Sequence, residues 1–239
     1  MPLLVLLIIS LFPLGTNSPD TQQLVKQLEA RYRGPQTLQA TFLEQYSENG
    51  QVVRAEAGVA YFRRPGKMRW EYESPEKNLF IVDGKMAWFY VPADHTVTRV
   101  PAKQSTDWRT PLALLAGEMK LSRVCSRVEA TVVEKPVTPG NAVLYCSLRG
   151  ETNDPQLTAG NAAQAQDKNG GPEESVYLEV VPGTGDLARV LVREKGGVTV
   201  GFKFENWRFN PSVPATHFRF DVPPGVAIVN GESAADSTL

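Results

Sequence analysis

Between Gly58 and Tyr90 the chain reads GVAYFRRPGKMRWEYESPEKNLFIVDGKMAWFY, and no other stretch limits the fold as strongly. The run Val59 to Arg64 is followed by the turn Pro65-Gly66. Then comes Lys67 to Tyr72, where Met68, Trp70 and Tyr72 alternate with Lys67, Arg69 and Glu71. A period of two sets an apolar row and a charged row on opposite faces of an antiparallel sheet. Ser74-Pro75 breaks the run, Leu79 to Val82 is apolar throughout, and Asp83-Gly84 is a hairpin signal leading into Met86 to Val91. The stretch predicts a β-meander.

The flanking sequence extends this sheet. Asp20 is placed to cap a helix from Thr21 to about Arg33, with Leu24, Val25, Leu28 and Tyr32 on one face and Gly34-Pro35 at its end. Leu38 to Tyr46 reads as a strand with Phe42 and Tyr46 on one face, turned by Glu48-Asn49-Gly50 into the Val52 run. After a turn at Pro92 to His95, Thr96 to Val100 is a short strand. Thr110-Pro111 is a helix start, with Thr as the cap and Pro at the first helical position, for a short helix carrying Leu112, Leu114 and Leu115 and stopped by Gly117.

Residues 151–174 are almost without apolar side chains and read as a flexible insertion between two strands. A second meander follows: Val176 to Val181, Leu187 to Glu194, and Val198 to Phe209 with Val198, Val200, Phe202 and Phe204 on one face. Phe218-Arg219-Phe220 reads as a last strand. The pattern then fades from Gly225 into a tail, of which 231–239 is placed outside the domain. The expected fold is mainly β with short α: one domain over 19–230, about ten strands in one strongly curved antiparallel sheet, and two or three short helices. Such a sheet has more large apolar side chains than one flat face can bury. It encloses either a tight core or a cavity, and both stay open on the residues alone.

Composition excludes several function classes. With 25 basic and 26 acidic residues the net charge is −1, so no basic field draws the protein to nucleic acid. His95 and His217 stand far apart with no ligand-spaced acid or Cys beside them, and no metal or other cofactor is expected. There is no G-x-S-x-G elbow, P-loop or G-x-G-x-x-G. Gly183-Thr184-Gly185-Asp186 is a turn between strands, and Glu71 and Glu73 fall in or just after a charged strand face. Nothing in the pattern asks for an enzyme.

Leu3 to Phe12 is nearly pure apolar sequence of about signal-peptide length and too short to span a bilayer. It is read as part of a leader over 1–18, although no Lys or Arg precedes it and no small-x-small site ends it. With no Cys nearby, a lipid anchor is not expected, and the exported protein is expected to be soluble. Cys125 and Cys146 are the two cysteines. In an exported protein they read as a disulfide, in a cytosolic one as buried thiols. A simple hairpin about the Pro136 to Asn141 turn would not set them face to face. Both readings stay open.

The Gly58-to-Trp70 run with Arg64-Pro65, then Asp83-Gly84 with Trp88-Phe89-Tyr90 and Pro92, Thr110-Pro111-Leu112, and Phe218-Arg219-Phe220 with Pro223-Pro224-Gly225-Val226 occur in this order along residues 20 to 230. In this set the chain resembles the LolA-like family of periplasmic outer-membrane lipoprotein carriers. The resemblance implies an unclosed β half-barrel covered by a helical lid over an apolar cavity that holds lipoprotein acyl chains. It implies that Met68, Trp70, Tyr72 and Phe80, with Leu112 and Leu115 of the lid helix, line the cavity, and that Leu24 and Leu28 of the first helix cover it. Met68 and Leu112 stand where aromatic residues are frequent, and the 151–174 insertion is longer than the family's usual connection. Arg64, the Arg before Pro, is implied to bond lid-helix backbone and hold the closed state. Its planar fork satisfies several carbonyls at once.

The implied partners are acylated lipoproteins and an inner-membrane ABC-type lipoprotein-releasing transporter. An outer-membrane acceptor is compatible with the family but not required by it, and a monomer is expected. The physical logic is the cost of acyl chains in water, about 0.8 kcal/mol per methylene and therefore roughly 12 kcal/mol for one chain of about sixteen carbons. Transit through an aqueous compartment needs a dry container, and release needs a change of shape. An alternative is an envelope lipid-binding or sensor protein of the same fold that does not deliver lipoproteins. An enzyme in the same barrel would need convergent titratable groups inside the cavity, whereas the pattern puts the charges outside.

Overall fold

The computed structural model describes residues 20–102, 112–117, 120–148 and 175–231. The leader, the Thr110-Pro111 helix start, the 151–174 insertion and the tail beyond Gly231 lie outside the described residues. The chain order is α1 (Thr21–Arg33), β1 (Thr37–Glu48), β2 (Gln51–Arg63), β3 (Lys67–Ser74), β4 (Leu79–Val82), β5 (Met86–Val91), β6 (Thr96–Pro101), α2 (Ala113–Ala116), α3 (Leu121–Val124), β7 (Cys125–Ala130), β8 (Ala142–Leu148), β9 (Ser175–Val180), β10 (Leu187–Arg193), β11 (Val198–Phe209) and β12 (Ala227–Asn230).

These strands form one sheet in the order β12-β6-β5-β4-β3-β2-β1-β11-β10-β9-β8-β7. Its two ends, β12 and β7, do not pair, so the sheet is not closed into a barrel. Twelve strands laid flat would be about 50 Å wide at the usual strand spacing. Yet Ala87 on β5 and Leu144 on β8, near opposite ends, belong to one buried cluster with Phe42, Phe62, Trp70 and Phe202 from the middle strands. Only a strongly curved sheet brings those side chains together.

The alternation read in the sequence is what builds this concave face. Met68, Trp70 and Tyr72 are buried on it, while Lys67, Arg69 and Glu71 face the other way, with Arg69 bonding Glu71 at 2.6 Å. Between β1 and β2, Asn49 and Gly50 both take positive φ, the backbone that a tight hairpin requires. Asp83 closes the β4–β5 hairpin by accepting from the Lys85 and Met86 amides at 2.8 Å. Gly58 marks a register shift between β2 and β3, where a Cβ would lie 1.9 Å from the Glu71 carbonyl oxygen. No other residue fits there.

β9 is buried on both faces. Its inward set, Val176, Leu178 and Val180, joins the main core. Outside, Tyr177 packs with Val143 and Leu191, and Glu179 is covered by the segment before β8. Glu179 accepts from the Val137 and Thr138 amides, from Asn141 Nδ2 and from Arg189 Nε, all between 2.9 and 3.0 Å. The outer face of the C-terminal half is thereby covered as well as the inner one.

Three expectations are corrected. The described residues hold twelve strands where the sequence suggests about ten. One of the additions is β12, in the stretch read as a tail, which pairs parallel with β6 from Ala227↔Thr96 to Asn230↔Arg99. Phe218-Arg219-Phe220 is not a strand. Ala215–Phe218 is a 3-10 turn strapped over the outer face, where Arg63 Nη1 donates to the Val213 carbonyl and Arg69 Nη1 to that of His217. β12 takes the sheet edge this segment would need, and its two aromatics part: Phe218 is fully buried and Phe220 rests on Trp88 and Tyr90.

Cys125 and Cys146 are joined in a disulfide, with Cα atoms 5.4 Å apart. Val128 pairs with Cys146, and an unbroken register would put Cys125 opposite residue 149, facing away from Cys146. A bulge between Cys125 and Arg127 pairs Cys125 with Leu148 instead. That one-residue shift turns Cys125 onto the face of Cys146.

Candidate functional site

The concave face is the candidate site. All eight residues expected to line or cover it are at most 6 % exposed and fall in the same cluster: Met68, Trp70 and Tyr72 on β3, Phe80 on β4, Leu24 and Leu28 on α1, Leu115 on α2 and Leu112 just before it. Its centre is Trp70, whose ring lies 4.8 to 6.0 Å from those of Phe42, Phe62, Phe202 and Phe204. The strand period supplies the inward set, and the helix period supplies Leu24, Leu28 and Tyr32. The Asp20 carboxylate caps α1 by accepting from the Gln22 amide at 3.2 Å.

Arg64 follows β2 and gathers the helix segments. Its Nε donates to the Gly117 carbonyl after α2 at 2.5 Å, and Nη1 donates to that of Arg33 at 2.7 Å. Nη1 also reaches the Pro35 carbonyl, and Nη2 that of Tyr32. Helices leave their last carbonyls without intrahelical partners, and a guanidinium at that end meets both the hydrogen-bonding need and the negative end of the dipole. Burial draws the Arg64 guanidinium below its ordinary pKa, and the cation remains the form that these carbonyls favour. The Gly66 amide adds a bond to the Ala116 carbonyl at 2.8 Å.

α1 is held to the C-terminal half of the sheet by a different set of bonds. The Leu187 amide donates to Tyr32 Oη at 2.8 Å, Arg31 Nε to Asp186 Oδ1 at 2.6 Å, and the Gly183 amide to Gln27 Oε1 at 3.2 Å. Gly185, at φ +75°, lets the turn come so close that a Cβ would lie 2.5 Å from the Gln27 carbonyl oxygen. Burial pushes the Tyr32 phenol above its ordinary pKa, so it is a neutral acceptor at any relevant pH.

One inward residue escaped the sequence reading. Glu44 on β1 is 1 % exposed on the concave side, and Tyr72 Oη donates to its Oε2 at 2.8 Å. The expectation that charges stay outside fails here. The signal was present in the parity of the strand, since Glu44 lies midway between Phe42 and Tyr46, which were placed on one face. A separate shallow groove of about 670 Å³ opens on the outer face, bordered by Tyr61, Arg208, Pro211 and His217 among others. None of the eight predicted residues borders it.

Residues 33–135 match the family model described as outer membrane lipoprotein carrier protein LolA. Two relatives named outer-membrane lipoprotein carrier protein align along most of the chain. The one from Chromobacterium violaceum is 28% identical over 233 residues, covering 97% of this chain and 99% of the relative. The one from Nitrosomonas europaea is 29% identical over 217 residues, 88% of this chain and 91% of its own length. A crystal structure of an uncharacterized conserved protein from Thermus thermophilus superposes with a TM-score of 0.50 at 12% identity. It covers 88% of this chain and 98% of that one, a likeness of fold alone. The family model falls on the segment from the end of α1 to the segment after β7, which contains Arg64 and most of the concave wall, and the two relatives carry the similarity through the second meander, so the chain is similar to outer-membrane lipoprotein carriers of the LolA type along most of its length.

Proposed function

We propose that the protein is a periplasmic carrier that encloses the acyl chains of lipoproteins against the concave face and carries them from the inner to the outer membrane. The observation that carries this reading is the closure at Arg64. One side chain collects carbonyls from the end of α1, from the connection after it and from the end of α2. A sheet whose only purpose was a permanent core would gain more from apolar contact than from placing a half-buried cation there. A closure in which the ends of both helices meet at one guanidinium can be loosened at one point.

In this reading α1 and α2 form a lid, the eight apolar residues are the acyl-chain contacts, and Arg64 holds the empty or sealed state. Loading replaces contacts between lid and wall with contacts to acyl chains, which offsets the roughly 12 kcal/mol that each exposed chain would cost in water. Extraction from a membrane against a cost of that size needs external work, so an ATP-driven inner-membrane transporter is the expected donor. The carrier works as a monomer, because the concave face is covered within one chain. The 1–18 segment is its export signal.

The test is native mass spectrometry of the protein purified from the envelope fraction. A bound triacylated lipoprotein is the expected result. A free phospholipid or glycolipid would replace the carrier by a lipid-binding or sensor role, and an empty protein that also fails to take up lipoprotein from vesicles would reduce the concave face to a packed core.

A further inference from the structure

Trp70 is fully buried, and its Nε1 has no hydrogen-bond partner among the described residues. An indole N–H is a donor only, and when buried it normally finds an acceptor. The rings around it, Phe42, Phe62, Phe202 and Phe204, have none except a weak N–H···π contact. The other donor in this part of the wall, Tyr72 Oη, has one proton and gives it to Glu44. The segment that packs on β2 and β3 here is α2, flanked by Leu112 and carrying Leu115. Displacing α2 would open the β2–β3 part of the wall to which Trp70 belongs.

We propose that Trp70 Nε1 is a recognition point for an uncharged carbonyl of the cargo, the ester carbonyl at the head of an acyl chain. The inference rests on the carrier reading above. Four hydrocarbon rings give a water-poor setting in which a charged acceptor such as phosphate would lose its hydration without a cation to replace it. A neutral carbonyl carries a far smaller cost and accepts one hydrogen bond. The wall would then distinguish acyl chains, which begin in a carbonyl, from plain alkyl chains of equal length. In the closed state the same N–H has no partner among the described residues, so an arriving ester gains there what the closed wall does not supply.

The test compares two lipopeptides that share a peptide and two sixteen-carbon chains, one ester-linked and one ether-linked. Each is titrated into wild-type protein and the Trp70→Phe variant, which keeps an aromatic ring and loses the N–H. The wild type is expected to bind the ester form roughly five-fold to ten-fold more tightly than the ether form, the size of one neutral hydrogen bond, and Trp70→Phe is expected to bind the two alike. In wild-type protein labelled with nitrogen-15, the Trp70 indole resonance, identified by its absence from the variant, is expected to move downfield with the ester form only. This keeps the inference testable should the variant fold poorly. Equal binding of both lipopeptides with an unmoved indole signal would overturn the inference and leave the carrier reading standing. Failure of both to bind the wild type would remove both.

Discussion

The two main helix segments over the concave face are held in opposite ways. α1 has thirteen residues, an Asp20 cap and three fully buried side chains, and it is bonded to the β9–β10 turn through Gln27, Arg31 and Tyr32. It also reaches the approach to β7 and its end: Glu29 accepts from the Leu121 amide at 2.9 Å and Thr21 from that of Ala130 at 3.0 Å. α2 has four residues, too few to be stable alone, and its described polar ties are to Arg64 and Gly66 after β2. Thus α1 behaves as part of the C-terminal half of the sheet, α2 leans on the N-terminal half, and Arg64 spans the seam. An opening would accordingly start at the seam, with α2 leaving and α1 staying.

The largest expected effect is at Arg64. A hydrogen bond to a charged group contributes about 1.5–3 kcal/mol, so losing even two of these contacts in Arg64→Leu shifts the balance between closed and open states by roughly a hundredfold or more. Delivery of lipoprotein to outer-membrane vesicles should fall steeply, and hydrogen exchange should rise in 112–117 well before it rises in α1. Delivery at the wild-type rate would end the role given to Arg64.

Reduction of Cys125–Cys146 acts on the other side of the comparison. The bond spans 21 residues of sequence and is expected to contribute about 3 kcal/mol by restricting the unfolded chain. Urea unfolding with and without reductant measures this. If exchange at α2 rose as much as in Arg64→Leu, the division into a fixed and a releasable segment would fail.

Glu179 offers a pH test of the fixed half. Burial alone would raise its pKa, but bonds from Val137, Asn141 and Thr138 and the charge of Arg189 hold it below the usual carboxylate value. A carboxyl depressed in the folded state contributes stability that is complete above its unfolded pKa and is lost as pH falls through the folded one. Stability should therefore drop below the ordinary carboxylate range, and Glu179→Gln should cost roughly 2 kcal/mol at neutral pH while flattening that acid limb. An unchanged acid limb in thermal melts would show that the acid sensitivity arises elsewhere.

The smallest effect is Tyr32→Phe, which leaves the Leu187 amide without its acceptor. A loss of roughly 1 kcal/mol is expected in chemical unfolding, with exchange rising in α1 but not in α2. The reverse order would place the weak joint at α1.

Much of the fold was legible because alternation and turn chemistry are local. α1 keeps its expected bounds Thr21–Arg33, the Asn49-Gly50 and Asp83-Gly84 hairpins stand where expected, and the eight apolar residues meet in one cluster. Val198, Val200, Phe202 and Phe204 share the inner face as read, yet Trp207 and Phe209 also pack against the core, because the register with β1 shifts and Asn206 takes φ +56°. A run of alternating letters does not show where an extra residue resets the count. The same limit hid the facing of Cys125. Glu44 was a different miss, since parity placed it inward and its charge argued it outward. Tertiary structure decided in favour of parity, because Tyr72 on β3 has a hydroxyl to give it.

The faces were written in the chain: which side chains look inward along each strand and helix follows from backbone periods that depend only on neighbours along the chain. Which distant segments close over that face, and what holds them there, was set by the folded arrangement. The carbonyls gathered by Arg64, the donors Val137, Thr138 and Asn141 on Glu179 and the pairing of β12 with β6 join groups far apart in sequence. Their partners are selected by the curvature of the whole sheet, which no local pattern records.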